Sequence, residues 1–144
     1  MDEKVRQAIF QQIGKEPFGK KFGLKLVDVQ EGYARVAMRF TEDMENMFGM
    51  AHGGAIFSLI DAAFEVASNS HGTMAVALNM NITYLASPAK GSRLTAEARE
   101  INKTRRTAAY DIRATDDTGT LLATCQSLVY RLDKPLPFLA EDKG

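Results

Sequence analysis

Apolar residues recur along the chain with two periods, and each change of period marks an element. Val5, Ala8, Ile9 and Ile13 fall at helical spacing and predict a short amphipathic helix over 3–14, closed by Gly14. KEPFGKKFG (15–23) holds Pro17, Gly19 and Gly23 and predicts a turn-rich connector. Period two then takes over: LKLVDVQEGYARVAMRF (24–40) reads as two strands about Glu31-Gly32, a hairpin. Ala34, Val36, Met38 and Phe40 share one face of the second strand. In the first, Leu24 and Leu26 share one parity and Val27 and Val29 the other, which predicts either a bulge or a strand covered on both faces. TEDMENMFGMA (41–51) reads as a loop.

Residues 53–71 return to the helical period and are apolar nearly all round, as a buried helix is; the stop falls near His71-Gly72. Four β-like runs follow, over 73–86, 93–102, 107–116 and 120–132. Ser87-Pro88 with Lys90-Gly91, Lys103 to Arg106, and Asp116 to Gly119 separate them. The tail over 133–144 is polar and proline-containing and is expected at the periphery. A helix this apolar needs cover on most sides, and an antiparallel sheet wrapped around it supplies that cover. The expected class is α+β: six antiparallel strands curled about a long central helix, one domain over 1–144, with 1–22 as an N-terminal helix and connector. The faces left over predict an oligomer.

Composition narrows the partners. Equal numbers of acidic and basic residues give a formal net charge of zero, so no global basic field draws the chain to nucleic acid or to an anionic membrane. No apolar run approaches the roughly 20 residues that span a bilayer. MDEKVRQAIFQQ lacks the pattern of a signal peptide, and a cytoplasmic protein is expected. The one cysteine, Cys125, lies in LLATCQSLVY and reads as a small core residue.

Candidate chemistry lies in the long helix. Asp61 sits in its middle and Glu65 follows one turn later, with no Lys or Arg within two turns. A carboxylate on an apolar helix is paired with a cation, faces a cleft, or is catalytic. Like charges at i and i+4 repel, so the pair is expected to titrate as a coupled system with one pKa raised, unless both simply face solvent. At the helix start, His52-Gly53-Gly54 presents unpaired N–H groups at the positive end of the macrodipole, a place for an oxyanion or merely a tight turn. Gly53 and Asp61 are eight residues apart, roughly 12 Å along a helix. A base and an oxyanion donor both lie about 3 Å from the reacting group. One helix cannot supply both; two antiparallel copies can, so an enzyme built on these residues shares its site across a two-fold interface.

Asn46-x-x-Gly49-x-x-His52-Gly53-Gly54 followed by Asp61 resembles the motif of hotdog-fold acyl-CoA thioesterases, and of their phenylacetate-degradation (PaaI-like) group in particular. NMNITYLASPAKG (79–91) and the element order resemble that group too. The resemblance implies a hotdog fold paired into dimers and often dimers of dimers. It implies hydrolysis of acyl-CoA, with no metal and no cofactor beyond the coenzyme A of the substrate. By position, the Gly53 N–H and the Asn46 side chain would polarise the thioester carbonyl. Asp61 of the other subunit would act as general base or as nucleophile. His52 would fix the loop, through Asn46 or otherwise. His71 reads as a helix cap.

Two positions depart from the pattern. Ala77 stands where some relatives carry a serine that helps hold the water, and Glu65 where more distant ones carry a threonine. Glu65 then positions the water, shares a proton with Asp61, or points into a wet part of the interface. Lys103, Arg105 and Arg106 in one turn, and Lys90 and Arg93 in another, are candidates for the coenzyme A phosphates, or solvated turns. Met44, Met47, Phe48 and Met50, with Phe57, Ile60 and Phe64, suggest a wall for a medium-chain or aryl acyl group, or an interface plug; Gly54 joins the substrate contacts. The competing readings are a non-catalytic acyl-CoA-binding module and a hotdog hydratase or dehydratase.

Overall fold

Asp2 starts the first helix: its Oδ1 accepts from the N–H groups of Lys4 at 2.8 Å and Val5 at 3.4 Å. This helix, α1 (Glu3–Ile13), is followed by α2 (Pro17–Lys21), β1 (Lys25–Gln30), β2 (Tyr33–Arg39), α3 (Gly53–Asn69), β3 (Thr73–Tyr84), β4 (Arg93–Lys103), β5 (Thr107–Thr115) and β6 (Leu121–Pro135). The molecule is known from a computed structural model that describes residues 1–139. The connector predicted over 15–23 is more ordered than a run of turns. Pro17 takes the first turn of α2, where no backbone N–H is needed, and Glu16 is the N-cap without bonding the helix through its side chain.

The six strands form one antiparallel sheet in the order β1-β2-β4-β5-β6-β3. The phase change in β1 is a bulge: the register shifts between Leu26 and Asp28. On the concave face the inward positions are often alanine. Ala34, Ala96, Ala98, Ala114 and Ala123 are all fully buried, and their small side chains let the sheet close onto α3. Leu59, Ile60, Ala63 and Ala67 of that helix are fully buried against it. The long central helix and its curled sheet are those expected from the sequence.

Gly32 turns the β1–β2 hairpin with φ at +71°, and a Cβ there would lie 3.0 Å from the Glu100 side chain. Its N–H donates to Ser70 Oγ at 2.8 Å, tying the hairpin to the end of α3. Gly32→Ala is therefore expected to lose at least about 1–2 kcal/mol in chemical denaturation, because the left-handed backbone alone costs that much with a side chain present. A variant of unchanged midpoint would show that the turn relaxes freely.

The tail departs from expectation. β6 runs on to Pro135, and Leu136 is buried and donates its N–H to the Gly72 carbonyl at 3.1 Å. Residues 136–138 pack over α1 and α3 instead of lying at the periphery; 140–144, also in the predicted tail, fall outside the described residues. β3 is an edge strand, with Val76, Leu78, Tyr84 and the following Leu85 all exposed. Among the described residues no helix is long and apolar enough to cross a membrane.

Candidate active site

α3 begins at His52, whose extended backbone (φ −66°, ψ 132°) turns the ring back over the first turn. His52 Nδ1 accepts from the Gly54 N–H at 2.8 Å. This bears on two expectations. His52 caps the helix and is not bonded to Asn46, and the Gly54 amide is already occupied, so it is not a free donor for substrate. The Gly53 N–H is one place earlier in the helix, where no intrahelical acceptor exists, and among the described residues nothing else accepts from it.

Asn46 Oδ1 accepts from the N–H groups of Phe48 at 2.9 Å and Met50 at 3.1 Å, and the Asn46 N–H donates to the Met50 carbonyl at 2.7 Å. Asn46 thus closes its own loop and leaves its amide nitrogen as a donor. A residue that the sequence reading passed over holds Gly53 from the other side. Tyr84 donates its O–H to the Gly53 carbonyl at 2.9 Å, and a Cβ on Gly53 would come within 3.1 Å of that ring. No local spacing signals this pair, because β3 meets the start of α3 only in the folded sheet.

Asp61 is half-buried in a depression of about 130 Å³ that it shares with Phe64, Glu65, Ser68, Asn69, Ala75 and Ala77. Burial raises its pKa above the ordinary carboxylate range, and the Glu16 charge adds to the shift. Ala77 lines the same depression as Asp61 and brings a methyl group to it. Asn69 builds this wall. It donates to the carbonyls of Glu65 at 2.9 Å and Ala75 at 3.2 Å and accepts from the Ala75 N–H at 2.9 Å, pinning β3 to α3. Gly53 lines a different depression, with Met50, Ile56 and Tyr84 among its neighbours. One chain therefore keeps the free amide and the acid apart.

Glu65 finds its main partner in Glu16, not in Asp61. It is crowded on its inner side while its outer side stays open to solvent. Burial, a hydrogen bond with the Glu16 carboxyl and the Glu16 charge push its pKa up to about 8, with Asp61 the smallest contributor. The folded chain then holds more protons than the unfolded chain between about pH 4.5 and about pH 8. The stability contributed by this proton is complete below that window and is lost as pH rises through it; Asp61 acts with the same sign. The thermal midpoint is expected to fall from about pH 5 to about pH 8, with Glu65→Gln flattening much of the slope. An unaltered slope in the variant would place the proton elsewhere.

The expected acyl wall divides. Met47 (90% exposed), Phe48 and Met50 stand out on the motif loop, whereas Met44, Ile60 and Phe64 belong to the core. Phe64 packs edge-on against Tyr110 at 5.6 Å, and Phe57 is half-buried. The cations also divide. Arg105 and Arg106 both pair with Asp133, at 2.9 Å and 3.3 Å, and Lys90 pairs with Glu45 at 3.0 Å. The side chains of Lys103 and Arg93 form no ion pair among the described residues. His71 is not a cap: its ring nitrogens meet Glu31 at 3.1 Å and Glu100 at 2.8 Å.

A long buried helix wrapped in a six-stranded antiparallel sheet is the hotdog thioesterase fold. A profile of the thioesterase superfamily matches residues 48–123, and the chain belongs to that family. It is 32% identical to the acyl-coenzyme A thioesterase PaaI of Escherichia coli over 132 residues, 92% of this chain and 94% of that one. The structure of that PaaI protein superposes with a TM-score of 0.88 at 31% identity, covering 92% of this chain and 96% of the other. A 1,4-dihydroxy-2-naphthoyl-CoA hydrolase of Listeria monocytogenes is 32% identical, covering 69% of this chain and 83% of its own. A Streptococcus mutans protein, solved bound to acetyl CoA, superposes with a TM-score of 0.75 at 28% identity over 78% of this chain and 91% of the other. The chain is a homologue of PaaI and a thioester hydrolase.

Proposed function

We propose that the protein hydrolyses acyl-CoA thioesters with medium-chain or aryl acyl groups at a site shared by two subunits. The observation that carries this reading is the division of labour along α3: a free Gly53 amide at its start and a half-buried Asp61 of raised pKa in a separate depression. The thioester carbonyl binds at the Gly53 N–H, assisted by the Asn46 amide nitrogen, which the loop leaves free. Asp61 of the other subunit removes a proton from water as the water oxygen adds to the carbonyl carbon. The C–S bond then breaks, and the coenzyme A sulfur takes a proton as it leaves. In the nucleophilic variant the Asp61 carboxylate adds to the carbonyl carbon, the C–S bond breaks as the coenzyme A sulfur leaves and takes a proton, and water then opens the mixed anhydride. The raised pKa of Asp61 favours the base. Tyr84 and His52 position the oxyanion donor. Lys103 and Arg93 are the cations left for the coenzyme A phosphates.

Dimer formation is part of the proposal, supported by the unpaired outer edge of β3 and its exposed Val76, Leu78 and Tyr84. A further pairing of dimers is compatible with the sheet face left outside. A hydratase would need a histidine free at the reacting carbon; His52 Nδ1 is spent on its cap, and His71 is held by two carboxylates. Release of free thiol from short, medium, long and aryl acyl-CoAs tests the reading. Turnover of medium or aryl members is expected, and binding without thiol release across the whole panel would make the protein a binding module.

A further inference from the structure

Beside the Asp61 depression lies a second, larger hollow that the mechanism does not use. It is a half-open cavity of about 340 Å³ between α1, α3, the start of β3 and the segment after β6. Its walls are mostly apolar: Ile9 and Ile13 of α1, Val66 of α3, Met74 of β3, and Leu136 and Phe138 beyond β6. An apolar cavity of about 150 Å³ holds a benzene molecule, so this one takes a substituted aryl ring or a medium-length alkyl chain.

The two hollows adjoin: Glu65, Asn69 and Ala75 line both, and along α3 one turn, roughly 5 Å, takes Asp61 in the smaller to Glu65 in the wall of the larger. Glu16 and Glu65 stand in the walls of that larger cavity, one at the cap of α2 and one on α3, with their carboxyls against each other. The Glu65 carboxyl meets the Glu16 carboxyl in a hydrogen bond and feels its negative charge, and no Lys or Arg lines the cavity to balance it.

We propose that this cavity receives the distal part of the acyl group, and that the Glu16–Glu65 pair makes it select uncharged acyl groups and refuse those ending in a carboxylate. The inference rests on the thioesterase reading and moves the acyl end away from the exposed methionines of the motif loop. An uncharged chain displaces water from Ile9, Ile13, Val66 and Phe138 and gains their apolar contact. A chain ending in a carboxylate brings a second negative charge beside the pair, out of bulk water and with no cation among the cavity's walls. Rejection by like charge is a direct way for a binding wall to discriminate between chains of equal length.

The test compares kcat/KM for octanoyl-CoA and for its counterpart of equal length bearing a terminal carboxylate. Wild type is expected to prefer the uncharged substrate by at least about 100-fold, and Glu16→Gln/Glu65→Gln to bring that preference to about 10-fold or less. An equal preference in wild type and variant overturns the role of the pair. Ile13→Phe, which fills part of the cavity, is expected to lower the octanoyl-to-butyryl ratio of kcat/KM at least about 10-fold. An unchanged ratio in a variant that melts cooperatively overturns the assignment of the cavity. Binding of the same acyl-CoAs to Asp61→Asn, followed by calorimetry, reads the selection without turnover. Selective binding with no thiol release from wild type would sink the hydrolase reading and leave the cavity standing; turnover without selection would do the reverse.

Discussion

Asp61→Asn is expected to lower the rate of acyl-CoA hydrolysis at least about 100-fold while leaving the thermal midpoint unchanged or higher. The loss in rate follows from the role of the carboxylate. Removing a positioned general base costs about two to four orders of magnitude, and removing a nucleophile costs at least as much. The gain or neutrality in stability follows from its surroundings. Asp61 is half-buried on an apolar helix, and both burial and the Glu16 charge disfavour its ionised form. The neutral amide carries neither penalty at neutral pH. A residue kept for structure would show the opposite signature, a lower midpoint with the rate little changed. Single-turnover hydrolysis in oxygen-18 water separates the two chemical roles. In that one turnover a nucleophilic Asp61 whose anhydride opens at the Asp61 carbonyl carbon takes up the label and releases unlabelled acid, whereas a general base sends all of the label to the released acid.

The second large effect concerns the subunit contact. Leu78→Lys, on the exposed edge strand, is expected to shift the protein to monomer in light scattering and to lower hydrolysis at least about 100-fold. The argument is one of distance. Gly53 and Asp61 lie roughly 12 Å apart along one rigid helix, beyond the reach of a single reacting carbon. Placing charge on the apolar β3 edge opposes pairing with a second copy. Mixing subunits gives an independent check. Asp61→Asn and Gly53→Val are each expected to be inactive, since a side chain on Gly53 runs into the Tyr84 ring at 3.1 Å. Mixed and re-equilibrated, the two variants are expected to regain about a quarter of wild-type activity, because half the dimers are then mixed and each has one intact site of two. Failure of the mixture to regain activity, with heterodimers formed, would put the whole site in one chain.

Most elements were legible along the chain because their causes are local. The apolar period of 53–71 describes a helix buried on most sides, and the alternation in 34–40 describes a strand with one face inward. Gly32 sits where the hairpin must turn with positive φ. The spaced glycines and acid of α3 also stood out, since a carboxylate in an apolar stripe conflicts with its surroundings wherever the helix is placed. Even the bulge in β1 was present as a change of parity.

Folding decided the pairings between distant segments, which depend on how the sheet curls around α3. Glu65 read locally as the neighbour of Asp61, yet the fold buries it and brings Glu16, at the cap of α2, against it, and burial first and Glu16 second outweigh Asp61 in its protonation. Arg105 and Arg106 read as free cations until β6, continuing past its predicted end, carried Asp133 to them. Tyr84 reached Gly53, and Leu136 and Phe138 came to roof a cavity, by the same sheet geometry. Periodicity records which face of an element is buried, because the hydrophobic effect acts on each residue by its own exposure. It carries no record of which residues of another element will face it, because register and twist set that only when the sheet closes on the helix.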